Sequence, residues 1–400
     1  MTPRSLPTEP LAAPAAAALD AALRLLKEYL DDIGYHGIYK YLATANYYAA
    51  SPSVFNASRP QSLEAFDRQI HEGPDDWMLA RCLTTCAPCR LEALPPPARR
   101  VAEVLADVGL LVWNGNTLEQ GGYQLISVFD RYILLDARIH FGGSQLHDVY
   151  IGPDSHLLLY YMPVEAIRPA DHILDLCTGT GVIGLGLSRF SEHVVSTDIA
   201  PPALRLAHMN RALNNAEGRV SIRAENLQET LASDECFDLI ACNPPYVAAP
   251  PELPTPLYAQ GPDRDGLGYL RLLMERAPEK LNPGGQAMFV VDLIGDTHRP
   301  YYFDDLERIA KEQELFIEAF IDNRLKADGQ LPAYKFLYAR LFHGTPPEEI
   351  EQRMRNFIFD ELHAYYYYMT TLRVRRRKPS GLRVLDRYRI TSYDEFFQQS

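Results

Sequence analysis

A short apolar run, His172-Ile173-Leu174-Asp175-Leu176, leads directly into Cys177-Thr178-Gly179-Thr180-Gly181-Val182-Ile183-Gly184 and then into a helical spacing of Leu185, Leu187 and Phe190. Strand, glycine-rich turn, helix is the crossover from which open parallel sheets are built, and it limits the fold more than any other feature of the chain. Gly179 and Gly181 allow turn conformations that a side chain forbids, and they let the backbone approach a ligand closely. A second run, His193 to Thr197, ends at Asp198. That carboxylate lies about 20 residues beyond Asp175, where it can take both hydroxyls of a ribose. A third run, Val220 to Ala224, ends at Glu225-Asn226, where an adenine edge would be read. A fourth, Phe237-Asp238-Leu239-Ile240-Ala241-Cys242, is closed by Asn243-Pro244-Pro245-Tyr246. The expected architecture is therefore α/β and doubly wound, with four strand ends at the crevice where such sheets bind ligands.

Two consecutive prolines stop the fourth strand and hold the next backbone carbonyl in a fixed direction. The Asn243 side-chain oxygen and the Pro244 carbonyl are both acceptors, so together they can grip the two N–H donors of a planar amino or amide group. Tyr246 supplies a flat face against which that group can lie. Such a grip suits transfer of a carbon group to nitrogen. Each piece also has a plainer reading. A glycine turn serves many nucleotide and phosphate binders. Asp198 can be a helix cap, because Pro201 and Pro202 start a helix just after it. Two prolines commonly make only a turn. Their order along one series of crossovers favours the chemical reading.

Asp175-Leu-Cys-Thr-Gly-Thr-Gly181, Thr197-Asp198-Ile199 and Asn243-Pro-Pro-Tyr246 resemble motifs I, II and IV of class I S-adenosylmethionine methyltransferases. The subgroup resembled is the amino-methylating one, which includes release-factor glutamine methyltransferases, rRNA guanine methyltransferases and adenine-N6 enzymes. Asp263-Arg264-Asp265-Gly266-Leu267 with Leu270-Arg271, and Leu281-Asn282-Pro283-Gly284-Gly285, resemble the release-factor type. Tyr150-Ile151-Gly152-Pro153-Asp154-Ser155 resembles the segment that closes over the methionine end of the cofactor. The resemblance covers about residues 148–345 and implies a Rossmann-like, doubly wound, seven-stranded sheet with S-adenosyl-L-methionine as cofactor. It implies a cofactor set of Asp154, Asp175, Cys177, Thr178, Gly179, Gly181, Asp198, Ile199, Glu225, Asn226 and Asn243. It also implies a catalytic group of Asn243, Pro244 and Tyr246, and no metal. One position departs from the pattern, since Cys177 stands at the first glycine of motif I, where small residues are tolerated.

Residues 1–16 are rich in Pro and Ala, lack the charged start and apolar core of a signal peptide, and read as a flexible lead. Residues 17–147 read as a second, α+β unit. The stripe Leu19, Leu23, Leu26, Leu30 and Ile33, ending at Gly34, predicts an amphipathic helix. Pro96-Pro97 open a short helix through Val101 to Leu105. Leu110 to Trp113, the turn Asn114-Gly115-Asn116, and Tyr123 to Val128 predict a hairpin. Helix followed by hairpin resembles a winged helix. Few Lys or Arg lie on the hairpin, so a substrate-covering or dimerising module is preferred to a nucleic-acid binder. Cys82, Cys86 and Cys89 have no nearby His or fourth Cys, and buried thiols are preferred to a zinc site.

Residues 346–400 read as a helical and basic extension. Pro346-Pro347-Glu348-Glu349 opens a helix carrying Ile350, Met354, Phe357, Ile358 and Leu362 on one face. Four tyrosines, Tyr365 to Tyr368, and a basic run from Arg373 to Lys378 follow, the latter read as a solvated face.

The net charge of −13 works against long-range attraction to RNA or DNA. No apolar stretch is long enough for a membrane span, so no membrane partner is expected. Without a signal segment the expected location is cytoplasmic, with free thiols. The expected activity is N-methylation of a planar amide, guanidine or amine nitrogen on a small molecule, an amino acid or a protein side chain. Methylation of an rRNA or tRNA base, and a non-catalytic S-adenosylmethionine-binding scaffold, are the alternatives. A homodimer through the N-terminal unit or the tail is left open.

Overall fold

The computed structural model describes residues 13–39, 74–136, 149, 151–253, 261–329, 331 and 346–386. Most of the proline-rich lead, Tyr150 and the last stretch of the tail lie outside the described residues. The chain divides into two compact units, Met1–Leu159 with Thr178–Ala224, and Tyr160–Cys177 with Glu225–Ser400.

The first unit opens on α1, Ala13–Asp32, which buries Leu19, Leu23, Leu26 and Leu30 as their spacing predicts. Helix α2, Met78–Thr85, ends where Cys86 takes a left-handed φ of 61°. Strand β1, Cys89–Arg90, precedes α3, Pro96–Asp107, whose opening prolines occupy positions where a missing N–H costs nothing. Then come β2, Leu111–Asn114, and β3, Thr117–Gln120, and these strands assemble in the order β1-β3-β2. The predicted turn is present, since Asn114 pairs with Thr117 across Gly115 and Asn116. Its partner strand is not Tyr123 to Val128, however. At Gly121 the N–H donates to the Leu110 carbonyl (2.8 Å), and the Gly109 carbonyl fills the space a side chain would need. That close backbone contact ends β3. Strand β4, Tyr123–Val128, instead forms a separate hairpin with β5, Arg131–Asp136. The turn between them places Phe129 and Asp130 at φ 51° and 54°, and two left-handed residues match the twist of a tight hairpin.

Helix α4, Pro153–Tyr161, begins in this unit, which also holds α5, Val182–Leu187, β7, His193–Asp198, α6, Pro201–Leu213, and β8, Val220–Ala224. Strands β7 and β8 pair in parallel. Asn210 of α6 accepts from the Leu134 N–H (2.7 Å) and donates to the Leu134 carbonyl (2.8 Å). Asn214, one helical turn on, does the same for Tyr132 at 3.0 and 2.7 Å. Two amide side chains thus satisfy the edge of β5 as a neighbouring strand would. This pairing ties β5 to α6.

The second unit contains β6, His172–Leu176, α7, Leu227–Ala232, β9, Phe237–Cys242, α8, Gly268–Arg276, β10, Leu281–Gly295, α9, Phe303–Glu312, and β11, Leu315–Lys326. It ends with α10, Pro347–Asn356, β12, Tyr366–Arg376, and β13, Gly381–Asp386. The strand order is β13-β11-β12-β10-β9-β6-β7-β8. Strands β6, β9 and β10 run parallel, and β12 is antiparallel to both of its neighbours. The fold is a Rossmann-like, doubly wound sheet, with eight strands where seven were expected. The eighth is β13, added in parallel beside β11.

The extension expected after residue 345 is corrected by the same pairings. Strand β12 is an inner strand, hydrogen-bonded on both edges, and α10 buries Ile350 and Met354 in a core with Ala248, Leu253 and Ile294. The basic run is corrected as well. Leu372 and Val374 are fully buried, whereas Arg373 and Arg375 alternate to the other face. Period-two alternation was the available strand signal, and the density of charge concealed it. No helix among the described residues is long and apolar enough to cross a membrane.

Candidate active site

In the first unit, the glycine turn is fastened to the end of β7. Thr178 N–H donates to the Thr197 carbonyl (2.9 Å), and Gly179 N–H donates to the Asp198 carboxylate (2.9 Å). Gly179 and Gly181 take φ values of 56° and 83°, which L side chains adopt only with strain. A Cβ on Gly181 would also meet Ala207 of α6 at 3.4 Å. From behind, Asn210 donates to the Thr180 carbonyl (2.9 Å).

The second carboxylate oxygen of Asp198 accepts from Ile199 N–H (2.8 Å) and Ala200 N–H (2.9 Å). The cap position of α6 is Ala200, without a side-chain cap, so the simple helix-cap reading of Asp198 does not hold. Three backbone donors instead fix its orientation. Beside it Ile199 is 49% exposed, an apolar face next to a carboxylate. A glycine turn, an oriented carboxylate and an exposed aliphatic surface suit the turn, ribose and base of a nucleoside. Asp154 is buried in the first turn of α4 and accepts from Ser155 N–H (2.9 Å), a position where helix ends favour negative charge.

In the second unit, Asp175 is fully buried on β6. Cys177 takes a φ of 54°, the left-handed conformation for which glycine is the easy residue. The departure at that position is therefore one of side chain and not of backbone. Asn226 caps α7 by accepting from Glu229 N–H (2.8 Å), while the Glu229 carboxylate accepts from Asn226 N–H (3.1 Å). This reciprocal cap commits the Asn226 side-chain oxygen to the helix, and a base edge read there would meet its amide nitrogen or the backbone. The Glu225 carboxylate accepts from the Thr230 hydroxyl (3.3 Å).

After β9, Asn243 and Tyr246 are half-buried and Pro244 is buried. The loop they form is clamped by a second loop around Gly261 to Leu267. A Cβ on Gly266, at φ 75°, would stand 2.3 Å from the Tyr246 carbonyl, and one on Gly261 would stand 2.8 Å from that of Pro245. Only glycine permits so close a backbone approach. Arg271 of α8 locks the second loop with two bonds to Asp265 (2.9 and 2.5 Å) and one to Asp263 (2.8 Å). Leu267 N–H adds a bond to Asp265 at 3.1 Å. Burial would push the Asp265 carboxyl up, but Arg271 and the N–H donors together hold it below its ordinary range. The hydrogen bonds that Arg271 donates to Asp265 raise Arg271 in turn. This positioning network was not among the predicted site residues, although its pattern of acid, acid, glycine and a following arginine was visible.

Cys82, Cys86 and Cys89 are buried, and burial pushes the Cys86 thiol up to about 12. Among the described residues no group of three or more His, Cys, Asp or Glu is placed to hold a metal ion.

Residues 149–317 match the methyltransferase small domain family. Over that stretch the chain is similar to methyltransferases. The release factor glutamine methyltransferase of Clostridium acetobutylicum is 33% identical over 149 residues, covering 33% of this chain and 51% of that protein. The one from Geobacter sulfurreducens is 39% identical over 137 residues, covering 31% and 47%. A ribosomal protein uL3 glutamine methyltransferase from Bradyrhizobium diazoefficiens is 35% identical over 161 residues, covering 38% and 46%. The chain thus spans about half the length of the curated relatives it matches. The matched stretch includes the glycine turn, Asp198, the Asn243 loop and its clamp, while β12 and β13 lie beyond it.

Proposed function

We propose that the chain is an S-adenosylmethionine-dependent N-methyltransferase whose acceptor is a side-chain amide of a protein. The observation that carries this reading is the Asn243 to Tyr246 loop, held against glycines that admit no side chain, in a domain whose relatives are named for glutamine methylation. S-adenosylmethionine supplies a methyl group already activated by its positive sulfur. Gly179, Gly181, Asp198 and Ile199 are the residues that would hold its nucleoside, with Asp154 and Asp175 nearer the amino-acid portion.

An amide nitrogen is a poor nucleophile, because its lone pair is shared with the carbonyl. In this mechanism the Asn243 oxygen and the Pro244 carbonyl accept its two N–H donors, fix its plane and push electron density onto nitrogen. Both hydrogen bonds strengthen as the nitrogen becomes cationic, so they favour the transition state over the ground state. Tyr246 bounds the plane. Proton loss follows transfer and needs no strong base. Residues 17–147 serve as a covering or dimerising module of winged-helix type, and the location is cytoplasmic.

The test is transfer of labelled methyl from S-adenosylmethionine into protein, small-metabolite and RNA pools. Label on glutamine in protein is expected. Label confined to metabolites or RNA would replace the acceptor, and cofactor binding without label in any pool would leave a binding scaffold.

A further inference from the structure

The outward face of β11, β12 and β13 gathers cations and rings that methyl transfer does not use. Leu372 and Val374 turn into the core, so Arg373 and Arg375 stand on the opposite face. In the strand register Arg375 lies opposite Phe316, while Arg373 and Arg383 both lie opposite Glu318. Arg377 continues the alternation, its guanidinium 4.2 Å from the centre of the Phe316 ring. Arg375 approaches the same ring at 5.6 Å, and Arg373 lies over Phe320 at 5.4 Å. Glu318 is hydrogen-bonded to Arg375, with Arg373 at 3.7 Å and Arg383 at 4.0 Å. The Glu318 side chain is only 10% exposed, whereas that of Arg383 is 62% exposed, and Arg377 is exposed as well.

Three arginines, Arg373, Arg375 and Arg383, therefore share one buried carboxylate, with Arg377 beside them on the Phe316 ring, on a chain whose overall charge is −13. One carboxylate neutralises one cation, and the remainder create a local positive field. We propose that this face docks single-stranded RNA. RNA is the docking partner here and not the methyl acceptor, so the inference stands apart from the methyl-transfer reading.

Three features favour RNA over another anion. First, all four cations are arginine, whose planar guanidinium presents N–H edges to phosphate and a flat face to a base. Second, Phe316 and Phe320 lie against the guanidiniums of Arg373, Arg375 and Arg377; Arg373 also donates to the Tyr161 carbonyl (3.1 Å), and it is the exposed Arg377 that offers a second plane for stacking. Third, alternate residues on a strand stand about 6.8 Å apart. Arg373 and Arg375 on β12, and Arg377 just past its end, thus follow one another along one face, a spacing suited to successive phosphates more than to one compact anion. An acidic peptide would satisfy the charge but gain nothing from the ring-backed planes.

The test uses the full chain and a fluorescent single-stranded RNA of about 12 nucleotides, within the site sizes such surfaces accommodate. Binding is followed by anisotropy between roughly 50 and 200 mM salt. Salt-dependent binding is expected, with the double variant Arg377→Ala, Arg383→Ala weakened about tenfold or more and its salt slope reduced by about 0.7 per arginine removed. Arg377→Lys should keep the slope and still lose affinity, because lysine has no plane to stack. S-adenosylmethionine affinity and the unfolding midpoint should not change in these variants. Absence of salt-dependent binding, equal binding by the double variant, or displacement of the RNA by polyglutamate at lower concentration would each overturn the proposal.

Discussion

In the proposed mechanism Asn243 would carry the chemistry with a single amide side chain, which sits between a strand end and a proline. Asn243→Ala is expected to lower kcat by about 10²-fold or more, on the scale of losing one oriented polar group in a transition state. Cofactor affinity should change far less, and single-turnover kinetics beside titration calorimetry separates the two. At Cys177 the sequence shows a departure from a glycine pattern, and the backbone keeps glycine's left-handed φ of 54°. That conformation costs a side-chain-bearing residue roughly 1–2 kcal/mol, against roughly 0.5–1 kcal/mol of extra chain entropy for glycine. Cys177→Gly should therefore raise stability slightly, by between about 0 and about 1.5 kcal/mol on that balance. Cys177→Val should lower it, because branching at Cβ worsens the same clash. Denaturant midpoints of the two variants should move in opposite directions.

At the scale of elements, the loop behind Asn243 depends on Arg271 reaching across to Asp263 and Asp265. The Asp265 carboxyl is lowered in the folded protein. Its contribution to stability is thus fully present above the unfolded carboxylate value, about 3.9, and is lost as pH falls through the lowered folded value. The gap in unfolding midpoint between the native chain and Asp265→Asn should be constant near neutrality and close as pH drops below about 4. A gap that persists in acid would mean the carboxylate charge is not what holds the loop. Arg271→Ala should reduce kcat while leaving cofactor affinity near its starting value, since the loop supports the acceptor side. Elements also show where local reading stops. The Asn114-Gly115 turn was legible because two residues specify it. The pairing of β4 with β5 was not, because it depends on the contact that Gly109 makes with Gly121.

For the whole molecule, the decisive fact is that the tail is structural. Strand β12 pairs with β10 from Gln286↔Arg375 to Gly295↔Tyr366, and with β11 along its entire length. A chain ending at residue 345 would leave two strands with open edges and uncover the apolar face that α10 and its core partners fill. Such a chain is expected to lose cooperative unfolding and to aggregate through those edges. A truncated chain that unfolds cooperatively and binds S-adenosylmethionine would restore the tail to the status of an extension.

Sequence by itself determined the crossover series, the order of the strand-end motifs and the acceptor loop, because each rests on residues adjacent in the chain. Glycine, proline and strand periodicity act over a few residues, and their consequences are local. Tertiary structure decided the rest. It placed β12 between β10 and β11, committed Asn226 to a helix cap, tied β5 to Asn210 and Asn214, and set three arginines around Glu318. Each of those depends on partners distant in sequence, and the free energy of such contacts belongs to the pair and not to either residue alone.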